Sequence, residues 1–121
     1  MSAGRQRLGR WGERRAARYL RRRGLRILTR NWSCGIGELD LIAMEGPVLV
    51  IVEVRTSRAG FAGGPLHTVG PHKQRKLAQL AQLYMRETGL GGSGLRFDVV
   101  GVIRQGWWRA QIDWVKAAFE V

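Results

Sequence analysis

Apolar and polar positions along this 121-residue chain follow two rhythms, one helical and one of strict alternation. Residues 8–24 follow the first. Wound at about 100° per residue, they bring Leu8, Trp11, Ala16, Tyr19 and Leu20 onto one broad face and Arg10, Arg14, Arg18 and Arg21 onto the opposite side. Gly24 suits a helix C-cap, where the backbone turns left-handed. Glu13 falls at the edge of the apolar arc beside Leu20, off the arginine face.

From Arg26 the rhythm shortens. The pattern predicts a strand over Arg26–Asn31, a turn through Ser33–Gly35, a strand over Ile36–Met44, a break at Gly46-Pro47 and a third strand over Val48–Arg55. The third run is nearly all β-branched, as in a central strand covered on both faces. Residues 57–70, with glycines at 60, 63, 64 and 70, read as loop. Pro71 suits the first turn of a second helix, with Leu77, Leu80, Ala81 and Tyr84 as its buried stripe and an end before Gly89. Gly89–Gly94 reads as a connector and Leu95–Ile103 as a fourth strand. A turn at Gln105-Gly106 then leads into a fifth strand, Trp107–Ile112, and a short terminal helix over Trp114–Phe119. Helix, three strands, helix, two strands predicts one α/β domain over residues 1–121, a mixed sheet flanked by helices. A chain this long supports one core.

Charge sharpens the picture. Twenty-one Lys and Arg against nine Asp and Glu leave a net charge of +12 and a pI near 11.6. Such a field attracts polyanions and releases their counterions. Nucleic acid is the expected partner, DNA ahead of RNA; a ribosome-type RNA scaffold is a further reading. Membrane binding is not expected, because the first helix needs its apolar face for the core. The Arg10, Arg14, Arg18 and Arg21 stripe is spaced to follow a phosphate backbone. Lys73, Gln74 and Lys76 open the second helix, whose first amides favour anions. Cys34 is the lone cysteine, which rules out an internal disulfide framework and suits a reducing compartment. No signal-peptide pattern and no apolar run of roughly 18 residues is present, so a cytoplasmic location is expected. His67 and His72 are too isolated to suggest zinc. Trp107 and Trp108, as strand neighbours, should face opposite ways, one into the core; for the other, ordinary packing is expected ahead of stacking on a base or burial in a subunit interface. Asp98 shares a face with Arg96 and is expected to pair with it.

The carboxylates carry the candidate chemistry. Alternation places Ile36, Glu38, Asp40 and Ile42 on one face of the second strand, and Leu49, Ile51, Glu53 and Arg55 on one face of the third. If Gly46 and Pro47 form a two-residue loop, Glu45 pairs with Val48 and counting outward pairs Asp40 with Glu53. Proline is unusual in such a loop, so a shifted register is the alternative. Like charges opposed on a sheet destabilise it, and carboxylates among Leu, Ile and Val lose water. Two arrangements answer this: a divalent cation held by oxygen ligands, or pairing with some of the eighteen arginines. Spacing alone does not choose between them.

The setting of these acids resembles a known family. Gly12-Glu13 with Ala16-Ala17 and Tyr19-Leu20, Arg30-Asn31, Gly37–Ile42, Val52-Glu53-Val54, Lys73-Gln74 and Arg96-Phe97-Asp98 together resemble the YraN-like group of small bacterial proteins over nearly the whole chain. The resemblance implies a restriction-endonuclease-like αβββαβ core of the PD-(D/E)xK nucleases and an activity of the kind used in DNA repair or recombination. It implies that Asp40, Glu53 and the Val54 carbonyl hold Mg²⁺ or Mn²⁺, with Glu38 and Glu13 in support; Glu13 matches an acid on the first helix. One departure stands out. The family pattern has Lys two residues after the second acid, and this chain has Arg55. Arg stays charged, so Arg55 suits holding a phosphate and not accepting a proton.

Overall fold

The computed structural model describes residues 3–59 and 68–121. Its elements are α1 (Ala3–Arg22), β1 (Arg26–Cys34), β2 (Gly37–Glu45), β3 (Val48–Arg58), α2 (Pro71–Thr88), β4 (Gly94–Gln105) and β5 (Arg109–Phe119). The five strands form one sheet in the order β1-β2-β3-β4-β5. Only β3 and β4 run parallel, joined by the crossover through α2. The result is the expected α/β arrangement, an αβββαβ-like core with one added strand, consistent with a nuclease-like fold.

The sheet separates two apolar clusters. On one face Leu77, Leu80, Ala81, Tyr84 and Met85 of α2 meet Leu39, Ile42, Leu49, Ile51, Phe97 and Val99. On the other, Ala16, Ala17 and Leu20 of α1 meet Leu41, Ala43, Val50, Val52, Val100 and Val102. β3 feeds both clusters, which is why its sequence does not alternate with polar residues. The α2 stripe read from the sequence is buried throughout; of the α1 stripe, Leu8, Ala16 and Leu20 are buried, and Trp11 and Tyr19 are half-buried. Gly89 closes α2 with φ 75°, its N–H donating to the Met85 carbonyl. Gly12 permits the approach of α1 to β3, because a Cβ there would collide with the Thr56 side chain. No described helix is long and apolar enough to cross a membrane.

Several sequence expectations need correction. The first helix begins at Ala3 and not at residue 8. β1 continues through the expected turn to Cys34, and the hairpin closes over Gly35 and Ile36, which lies in the turn instead of in β2. β3 runs on to Arg58 because β4 pairs with it as far as Arg104. The terminal helix does not form. Trp114–Phe119 is the second half of β5, and Trp107 and Trp108 lie in the turn before it. Alanines and alternating bulk there tolerate either state, so pairing with β4 decides. The anchor is Asp98, fully buried. It accepts from Arg96 Nε and Nη2 at 2.8 and 2.9 Å, Trp114 Nε1 at 2.9 Å and the Ala117 amide at 3.0 Å. Ala117 has φ 50° and sits in the register shift between β4 and β5. The Asp98–Arg96 pairing is therefore as expected, and it also fixes the β5 bulge. Residues 60–67 of the predicted loop, with glycines 60, 63 and 64 and His67, lie outside the described residues.

Candidate active site

The β2–β3 hairpin has the register that turn counting gives. Glu45 pairs with Val48 across Gly46-Pro47, and the ladder continues to Leu41↔Val52. Gly46 takes φ 56°; positive φ first, then proline's fixed negative φ, is the order of a type II′ turn. The count would put Asp40 opposite Glu53 one step further on, but the ladder stops short of that pair, at Leu41↔Val52.

It stops because β2 changes sides at Asp40. Regular alternation would keep Leu39 with Leu41. Instead Leu39 packs with the α2 cluster and Leu41 with the α1 cluster. On the neighbouring strand, Arg30↔Leu41 and Trp32↔Leu39 bracket Asn31, which has φ 55°, a conformation Asn tolerates better than most residues. The expected common face of Glu38, Asp40 and Ile42 is thus interrupted. The Asp40 carboxylate turns toward β3, where the Val54 N–H donates to Oδ2 at 2.9 Å.

Glu53 is buried, with 8% of its surface exposed. Its Oε2 lies 3.4 Å from both Arg55 Nε and Lys73 Nζ. Burial first, then the Glu53 charge and a hydrogen bond between the two carboxyls, together raise the Asp40 carboxyl to about 8 against the opposing Val54 N–H. Glu13 adds its charge to the same effect. The Glu13 carboxyl is itself raised, first by burial and then by Glu38, with Arg30, Arg10 and Arg14 opposing. Its Oε2 is buried without a hydrogen-bond partner. Charge interactions thus link Glu38 to Glu13, Glu13 to Asp40 and Asp40 to Glu53.

The other expected residues fall in three places. Arg10, Arg14, Arg18 and Arg21 are exposed on α1, although Arg10 and Arg14 lie near enough to Glu13 to affect it. Glu38 is exposed and pairs with Ser33 near the β1–β2 turn. Gln74 uses its side-chain amide on the Val69 carbonyl at 2.8 Å, and Lys76 lies against Gly37. The direct contact between Lys73 and Glu53 was not readable from spacing. Its only signal was that a parallel β3–β4 pair must carry α2 across the face of β3.

A sequence profile of Uncharacterised protein family UPF0102 matches residues 12–102, from the glycine under α1 through β4. The chain belongs to the UPF0102 family. A UPF0102 protein of Syntrophotalea carbinolica is 45% identical over 114 residues, covering 94% of this chain and 92% of its own. UPF0102 proteins of Pelotomaculum thermopropionicum and Ectopseudomonas mendocina are 46% identical over 103 residues and 41% over 114. The first covers 85% of this chain and 86% of its own; the second covers 93% and 94%. The YraN-like resemblance read from the motifs is this membership. The UPF0102 match contains Glu13, Glu38, Asp40, Glu53, Arg55 and Lys73.

Proposed function

We propose that this protein binds nucleic acid, DNA ahead of RNA, and hydrolyses phosphodiester bonds in a divalent-metal-dependent reaction at Asp40 and Glu53. The observation that carries the reading is the pairing of these two carboxylates where β2 parts from β3, with Asp40 raised to about 8. Charges opposed in a buried gap call for a compensating cation. The unpartnered Glu13 Oε2 beside them points the same way.

The donor set suits a hard ion. Every candidate ligand is oxygen, as Mg²⁺ and Mn²⁺ prefer. Among the described residues no three acidic, His or Cys side chains converge on one ion position. That fits Mg²⁺, which commonly takes one or two carboxylates and leaves its other positions to water and substrate phosphate. Asp40, Glu53 and the Val54 carbonyl would hold it; in a strand the carbonyl leaves on the same side as the residue's N–H, here toward Asp40. When bound, such an ion lowers the pKa of a water and polarises the phosphate.

The chain's own residues supply the rest. Arg55 and Lys73 flank Glu53 and are placed to hold a phosphate and stabilise its developing charge. Lys73 can also give or accept a proton, which Arg55 cannot. The α1 arginines offer the backbone track that carries salt-dependent affinity. Cleavage of single-stranded, duplex and branched DNA with Mg²⁺ or Mn²⁺ tests the assignment. Wild type should cut, and Asp40→Ala and Glu53→Ala should each be silent; activity surviving both changes sinks it.

One observation favours a second reading, a nuclease-fold module that binds without turnover. Glu53 already has Arg55 and Lys73 as counter-charges, the arginine-type pairing that needs no metal. This reading predicts salt-sensitive DNA or RNA binding with no cleavage under any divalent ion.

A further inference from the structure

We infer that the tip of the β4–β5 hairpin is a stacking platform for unpaired bases of single-stranded nucleic acid. The inference rests on the nucleic-acid reading above and on none of the metal chemistry.

The last pair of the hairpin is Gln105↔Arg109, which leaves Gly106, Trp107 and Trp108 in the turn. Turns favour small or polar residues. Here two of the largest apolar side chains stand in solvent, Trp107 78% exposed and Trp108 59% exposed. Neither contributes to the two apolar clusters. Their rings are 6.5 Å apart at 65°, so they do not lie flat on each other, and Trp107 keeps a free face.

The tip is braced from below. Arg104 Nε donates to the Gly106 carbonyl at 3.0 Å and Nη2 to the Trp107 carbonyl at 3.1 Å. The same guanidinium lies over the Trp11 ring of α1, 5.0 Å from its centroid. A platform held in place before binding loses little freedom on binding.

Its surroundings select the occupant. Residues 99–112 contain Arg104 and Arg109 and no acid. Arg109 lies 5.7 Å from the Trp108 centroid. Arg58, Ala59, Arg104, Gly106 and Trp107 line an open hollow of about 420 Å³. Aromatic faces beside guanidinium groups are what single strands need, stacking for bases and charge for phosphates. A second copy of this chain would bring +12 against +12, which opposes self-association through this tip. The tip is also continuous with the acid centre: β3 runs from Glu53 to Arg58, which pairs with Arg104. At the usual rise per residue, the tip lies on the order of 20 Å from Glu53 along the strands, a span one strand of nucleic acid can cover.

Fluorescence anisotropy on the full chain in EDTA tests this, with labelled oligothymidylate about 20 nucleotides long and a duplex of equal length. Trp107→Ala and Trp108→Ala should each weaken single-strand binding about tenfold and change duplex binding less than about twofold. Trp107→Phe, which keeps a π face, should retain most of the affinity. Unchanged single-strand affinity in both alanine variants overturns the platform. So does equal loss on the duplex. Loss of self-association in sedimentation, or of binding to anionic phosphatidylserine vesicles, with oligonucleotide affinity intact, overturns it in favour of another occupant. If wild type binds neither oligonucleotide, the nucleic-acid reading itself fails, whereas binding that persists in the Trp variants removes the platform alone.

Discussion

Lys73, in the first turn of α2, stands with its Nζ 3.4 Å from Glu53 Oε2, so a lysine reaches the second acid although position 55 carries Arg. The contact crosses between elements twenty residues apart in sequence. It supplies from a helix the residue type that the family pattern places on the strand.

If Lys73 acts on the reaction, Lys73→Met should lower kcat by about 10²-fold, the usual effect of removing one charge-stabilising or proton-transferring group. The thermal midpoint should move little, because the lysine end of the pair is screened by solvent and Arg55 still faces Glu53. Lys73 is roughly half exposed. Arg55→Lys should raise activity if the strand position matters more. Steady-state cleavage with melting curves separates these outcomes, and a Lys73→Met variant with full kcat leaves Lys73 a surface ion pair.

Asp40 makes stability depend on pH in a direction fixed by its raised carboxyl. The folded chain keeps a proton that the unfolded chain gives up near pH 4. Protons bound by the folded state exceed those of the unfolded state between about pH 4 and the folded value of about 8, so stability falls as pH rises through that window and levels off above it. Asp40→Asn should remove this decline and melt higher than wild type at pH 9 in EDTA, by roughly 4 °C for each kcal/mol regained. Added Mg²⁺ or Mn²⁺ should raise the wild-type midpoint and leave the variant's almost unchanged. Identical pH profiles for the two proteins contradict the assignment.

Asp98 tests the frame behind the site. It is 1% exposed and accepts four hydrogen bonds. Asp98→Ala leaves the Arg96 guanidinium, the Trp114 indole and the Ala117 amide short of partners. Losing one side of such a buried pair costs about 3–5 kcal/mol. Urea unfolding should report a loss of that order, with β5 the first strand to lose amide protection in hydrogen exchange. A loss below about 1 kcal/mol would mean that the bulge holds without its anchor.

Much of this was legible in the residues themselves. The β-branched run of β3, the helical stripe of α2 and the Gly46-Pro47 turn are local signals, and each produced its element. From that turn the register follows by counting as far as Leu41↔Val52, and the nearness of Asp40 to Glu53 was legible from the same count. Family membership followed from motifs spread from Gly12 to Asp98.

What counting could not reach depended on contacts distant along the chain. Leu39 and Leu41 fall on opposite faces because β2 twists at Asp40, opposite the left-handed Asn31; alternation assumes a regular strand and cannot foresee it. Trp114–Phe119 is strand because β4 and the Asp98 anchor claim it; its own composition suits a helix as well. Trp107 and Trp108 reach solvent for the same reason, the hairpin having turned two residues later than expected. Lys73 meets Glu53 only because the parallel β3–β4 pair brings α2 over the sheet. The acids and their spacing are set residue by residue; which way Asp40 turns and which cation stands beside Glu53 depend on packing, because side-chain direction at a strand break and helix docking are properties of the packed whole.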